Sequence, residues 1–138
     1  EMIPGSYALT IAAAVGQRLP AHCTASGKQF LAHLPAQELE IILSRPLIAY
    51  TAKTIVSAEH LRQHLALIRQ QGYAVDDEEF ETGIRAVACP IFDRQGRVIA
   101  AMSIPSPASR MTVSRVPEIA RALSDAAKAV SRRLGWNL

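Results

Sequence analysis

The sequence is short of the features that would declare a chemistry. Aromatic residues fill only 5% of its 138 positions, and no apolar run approaches the roughly 18 residues needed to span a membrane. The N-terminus has neither the charged nor the apolar region of a signal peptide. These absences point to a cytoplasmic protein with no membrane partner. The two cysteines, Cys23 and Cys89, lie far apart and outside any CxxC pattern, which favours reduced thiols over a disulfide. A metal site built from His22, Cys23 and His33 would lack the ligand spacings of structural zinc motifs, and no cofactor is implied. There is no GxSxG elbow and the four histidines form no motif, so nucleophilic catalysis has no support in the sequence. Basic residues exceed acidic ones by 15 to 12, yet the two are interleaved. No positive stripe is left to follow a phosphate backbone.

What is present is the composition of an ordinary folded domain, 49% apolar and 20% charged, long enough for one real core. The chain starts at Glu1 without an initiator Met and opens on a turn-like Pro4-Gly5, from which we expect an excised fragment. Ser6 to Val15 reads as a strand among small residues. Thr24 is placed to cap a helix whose apolar face includes Phe30, Leu31 and Leu34. Pro35 opens a second helix, with Leu39, Ile42 and Leu43 facing inward, and Pro46 stops it. Ser57 caps a third, in which Val56 and Leu61 have the spacing of a hydrophobic staple and Gly72 closes the C-terminus. Ser114 is the expected cap of the last helix, whose stripe runs Val116, Ile119, Leu123, Ala127, Val130 and Leu134 up to Gly135.

The strongest local signal is IRAVACPIF-DRQG-RVIAAMSI, a β-hairpin closed by a type I turn with a glycine bulge. With Phe92 opposite Arg97, Ala88 faces Ala101, Ala86 faces Ser103 and Ile84 faces Pro105. The other face carries the bulkier Val87, Cys89, Ile91, Val98, Ala100 and Met102, suited to packing on helices. Small residues on the first face either leave a concavity or let a helix sit close. Pro105 ends the second strand or confines it to a sheet edge. Upstream of the hairpin, Asp76-Asp77-Glu78-Glu79 is expected as a mainly solvated acidic run, without the spaced oxygen ligands of a calcium loop.

Three elements suit a binding pocket. The N–H groups of Ala25, Ser26 and Gly27 begin a helix and either face solvent or hold an anion. The carboxylate of Asp76 and the hydroxyl of Ser103 can meet the polar end of an acidic ligand.

The blocks RLPAHCTASGKQFLAHL, YTAKTI, RQQGYAVDDEEFETGIRAVACPIFDRQGRVIAAMSI and RALSDAAKAVSRRLGW, in this order and separation, resemble the effector-binding domain of IclR-type bacterial transcription regulators. The resemblance covers nearly all of the chain. It implies a GAF-like α/β fold, a curved antiparallel sheet with helices packed around it. It also implies a missing N-terminal winged helix-turn-helix domain through which DNA is bound, and a homodimer or homotetramer. The family's pocket amides match Ala25 and Ser26, beside Gly27, and its acid matches Asp76. Its polar hairpin positions match Ala86, Ser103 and Pro105, and its apolar wall matches Ile11, Leu19 and Ile84. Ala86 and Pro105 stand where some members carry a thiol or hydroxyl, which implies a larger or more apolar effector, such as an aromatic acid. The expectation is therefore a sensor of a small organic acid, not an enzyme. A GAF-like enzyme or a ligand-free oligomerisation module is the alternative.

Overall fold

Short polar caps start two of the helices of this computed structural model, which describes residues 16–137. Thr24, in extended conformation, accepts the Gly27 N–H and opens α1 (Ala25–His33). Ser57 accepts the His60 N–H and opens α3 (Ala58–Gln71), which ends on left-handed Gly72. Between them α2 (Ala36–Leu43) buries Leu39 and Leu43. Ile42, expected inside, remains partly exposed. The staple expected at Val56 does not form: Val56 is exposed and its neighbour Ile55 packs against the core in its place. The strand expected at residues 6–15 lies outside the described residues.

Among the described residues the sheet has three antiparallel strands in sequence order, β1 (Ala74–Asp77), β2 (Ile84–Phe92) and β3 (Val98–Pro107). A 3-10 turn at Val113–Arg115 leads into α4 (Val116–Arg133). Ser114 sits inside that turn, bonded to Thr112, and caps nothing. Helix α4 buries Val116, Ala120, Leu123, Ala127 and Ser131, while Leu134 is exposed past its end.

The hairpin closes as a type I turn: Gly96 N–H donates to Asp93 O, and Gly96 takes φ 76°. The register differs from the expected one. Phe92 pairs with Val98 and not Arg97, and a bulge between Ile91 and Phe92 moves the pairing by one more residue. Ala86 therefore opposes Pro105, Ala88 opposes Ser103 and Ile84 opposes Pro107. Two single-residue shifts add up to two, and a shift of two returns each side chain to its original face. The expected division into a small-residue and a bulky face survives for that reason. β3 continues through Pro105 as an edge strand of the described sheet, a position that tolerates a missing N–H.

The bulge has a partner in α4. Phe92 N–H donates to the buried Ser131 hydroxyl at 3.0 Å, and that hydroxyl donates to Ala127 O at 2.9 Å. Ser131→Ala would leave the Phe92 N–H without its acceptor, and we expect a loss of about 1–2 kcal/mol, measured as a lower urea midpoint.

Helices thus cover both faces. Val87, Cys89, Ile91, Ala100 and Met102 form one core with α4 and Met111. On the opposite face Ala74 joins a second core of α1, α2 and α3 built on Leu31, Leu61, Leu65 and Ile68.

Candidate functional site

The small-residue face carries Asp76, Ala86, Ser103 and Pro105 of the candidate residues. Asp76 pairs with Ala86 and Ala86 with Pro105, so these three form one row across the sheet; Ala74, Ala88 and Ser103 form the next. Ala25, at the start of α1, packs directly on Ala86 and Ala88. Of the two outcomes open for small residues, close approach of a helix is the one seen here. Ser103 and Pro105 remain exposed on the edge strand and Ile84 is half-buried. Leu19 is exposed in the segment leading to α1, and Ile11 lies outside the described residues. Two surface grooves occur elsewhere. One, of about 360 Å³, runs beside α3 along Ile55, His60 and His64. The other, of about 250 Å³, lies between Tyr73, Arg85 and Val116.

The first turn of α1 is partly committed. Gly27 gives its N–H to Thr24 Oγ1 at 3.3 Å, and Lys28 gives its own to Thr24 O. Among the described residues no hydrogen bond occupies the N–H groups of Ala25 and Ser26, so these two are the donors left at the positive end of the helix.

The acidic run departs most from expectation. Asp76 and Glu79 are both about 5% exposed, and all four acids are engaged. Asp76 Oδ1 accepts the N–H groups of Glu79, at 2.8 Å, and Phe80, at 3.4 Å. Asp77 pairs with the buried guanidinium of Arg85 at 2.5 Å, and Glu78 with Lys53 at 2.8 Å. Glu79 Oε1 accepts from the fully buried Lys28 ammonium at 2.5 Å. The same ammonium donates to Val75 O at 2.5 Å and to His64 Nε2 at 3.1 Å. Thr51 and Thr54 secure the loop from outside through the carbonyls of Glu78 and Glu79, at 2.7 and 2.6 Å. Glu78 itself adopts φ 58°, a left-handed turn residue that directs the chain back toward β2.

These surroundings move several proton affinities. Burial pushes Asp76 up to about 6, and the charge of Glu79 adds to it, against the opposing pull of the loop N–H groups and Lys28. Because the folded-state value lies above the ordinary 3.8, ionised Asp76 subtracts from stability. Its contribution is most favourable below about pH 4 and is lost as pH rises through about 6. Burial and then Lys28 push His64 down to about 4, so it is neutral and its Nε2 lone pair accepts from Lys28. Burial first, then Asp76 and Glu79, push the Cys23 thiol up to about 12, and burial pushes Cys89 to about 11. Neither thiol supplies a thiolate near neutral pH. His22 donates to Ile48 O and His33 to Gln29 O. Among the described residues no three metal-ligating side chains are grouped to hold an ion, and no helix is long and apolar enough to cross a membrane.

Residues 1–132 match the family described as bacterial transcriptional regulator IclR, C-terminal. The chain belongs to the IclR family. It is 39% identical to the transcriptional repressor IclR of Escherichia coli over 136 residues, which is 98% of this chain and 50% of that protein. It therefore spans about half the length of the curated relatives it matches, which are named as repressors and regulators and not as enzymes. Its fold superposes on the IclR protein of Thermotoga maritima with a TM-score of 0.90 at 36% identity, covering 97% of this chain and 55% of that one. This likeness supports the GAF-like α/β fold expected from the sequence. It also superposes on the inducer-binding domain of the Acinetobacter PobR transcription factor, a double mutant in complex with 3-hydroxybenzoic acid. There the TM-score is 0.80 at 29% identity, covering 86% of this chain and 69% of that one.

The residues themselves point to Ala25, Ser26, Gly27, Asp76 and Ser103, and the IclR-type resemblance adds the other candidates. Neither points to Lys28, Gln29, His64, Glu79 or the two threonines. A signal existed for two of them: Ala25, Lys28, Gln29 and Ala32 have the spacing of one helix face, and all four are buried.

Proposed function

We propose that this chain is the effector-sensing part of a cytoplasmic transcription regulator. In this reading it binds a small organic acid and passes the change to a winged helix-turn-helix domain in the remainder of the protein, which binds DNA. The whole protein acts as a homodimer or homotetramer. The observation that carries the reading is the row Asp76–Ala86–Pro105 with Ser103 beside it, under the start of α1. The ligand carboxylate takes the N–H groups of Ala25 and Ser26. Its hydroxyl end meets Asp76 and Ser103, and the apolar wall comes from Ala86, Pro105, Ile84, Leu19 and Ile11. Gly27 serves as the close-packed residue of that helix turn. The PobR domain with bound 3-hydroxybenzoic acid supports an acid with a second polar end, an aromatic one included. Signalling requires only that the acid bind two states of the regulator with different affinity.

The test is a thermal-shift panel of small organic acids that includes 3-hydroxybenzoate. An acid at about 100 times its dissociation constant stabilises the fold by roughly 2.7 kcal/mol. Ser103→Ala and Asp76→Asn should each weaken the acid found by about 1–2 kcal/mol, the worth of one lost hydrogen bond. A panel in which no acid moves the midpoint contradicts the sensing role. Unchanged affinity in both variants contradicts the site.

A further inference from the structure

Lys28 is an unusual core residue. Its side chain is fully buried, and its ammonium donates to Glu79 Oε1, Val75 O and His64 Nε2, which uses all three of its hydrogens. Two of those acceptors flank Asp76 in the chain: Val75 precedes it on β1, and Glu79 follows it in the loop. Glu79 then returns its own N–H to Asp76 Oδ1 at 2.8 Å. Asp76 is therefore enclosed in a ring closed through one ammonium, and that ammonium sits on α1 three residues after Ala25.

We propose that Lys28 and Glu79 are positioning residues: together they fix the Asp76 carboxylate relative to the Ala25 and Ser26 amides, so that both ends of the ligand site move as one body. The proposal rests on the reading of Asp76 as a ligand contact. A merely stabilising role explains the pair poorly. Apolar side chains of the same volume can stabilise a core as well as a buried ion pair does, but they form no directional bonds to Val75 O and the loop. Moreover, Glu79 Oε2 is buried with no hydrogen-bond partner among the described residues, a cost that simple core filling avoids. It leaves a carboxylate whose charge is felt at Asp76. The charged and titratable groups that bear on Asp76 are Glu79 in its own loop, Lys28 on α1 and Cys23 before α1, with neutral His64 of α3 behind Lys28.

The experiment is done on the 138-residue chain without any acid, by amide hydrogen exchange and carboxyl-carbon NMR titration. Glu79→Gln keeps an oxygen for Lys28 but removes the charge. The Glu79→Gln chain should hold the residue-79 and Phe80 N–H groups within about threefold of the parent exchange rates, while the Asp76 titration midpoint moves to lower pH. Lys28→Met combined with Glu79→Leu should keep Leu65 and Ile68 protected but speed exchange at residue 79 and Phe80 at least about tenfold. Either of two results overturns the proposal: an Asp76 midpoint unmoved in Glu79→Gln, or parent-like protection of those amides in the double variant. The first stands whether or not the double variant folds. A failed acid panel would leave these ligand-free results intact, so the site reading and the positioning role fail separately.

Discussion

Lys28→Met alone is expected to cost about 3–5 kcal/mol of folding stability, read from chemical denaturation at neutral pH. Methionine fills nearly the same space, so cavity formation is a minor part. The loss is electrostatic. Glu79, about 5% exposed, is left with neither oxygen paired to a cation, and Val75 O and His64 Nε2 lose the donor they share. A buried charge stripped of its partner costs far more than the intact pair contributes. Restoring Lys28→Met by Glu79→Leu should recover most of the loss. If Lys28→Met changes stability by less than about 1 kcal/mol, the burial of the ion pair described above is wrong.

The same cluster shows where the sequence is legible and where it is not. Caps, glycine stops and the hairpin turn are local, set by residues within four positions of one another, and Thr24, Ser57, Gly72 and Gly96 are found in the expected roles. Face assignment in the hairpin survived a misplaced register because only the parity of the shift matters. The bulge itself depends on Ser131, 39 residues from Phe92, and no neighbouring residue announces it. Four adjacent charges are normally solvated, and on that rule the sequence alone predicts an exposed acidic run. What overrides that rule for Glu79 is a lysine 51 residues away in sequence. Composition sees the Glu79 carboxylate but not the ammonium buried against it. Of the candidate site, the strand pattern puts Ile84, Ala86, Ser103 and Pro105 on one sheet face but not in their true pairs, and the meeting of that face with α1 came only from resemblance.

Gly27→Ala is expected to destabilise the fold by about 3 kcal/mol, although alanine is the better helix former by roughly 1 kcal/mol. Gly27 has ordinary helical geometry, so the requirement is one of space and not of backbone angle. A Cβ at this position would lie 2.4 Å from Ala21 Cα, 2.5 Å from Ala21 O and 2.6 Å from Thr24 Oγ1. Two of those atoms are backbone and cannot rotate away. The third is the cap that accepts the Gly27 N–H, and Thr24 is itself tied to Pro20 O at 2.8 Å. The segment before α1 must therefore either lift off the helix, releasing the cap, or drag the first turn with it. In both cases the amides of Ala25 and Ser26 move relative to Asp76, and Lys28, the next residue, is pulled against its three acceptors. Denaturation midpoints measure the stability loss, and hydrogen exchange over residues 20–28 locates it. A neutral or stabilising Gly27→Ala would show that the segment yields at no cost, and that the close packing at Ala21 does not fix the start of α1.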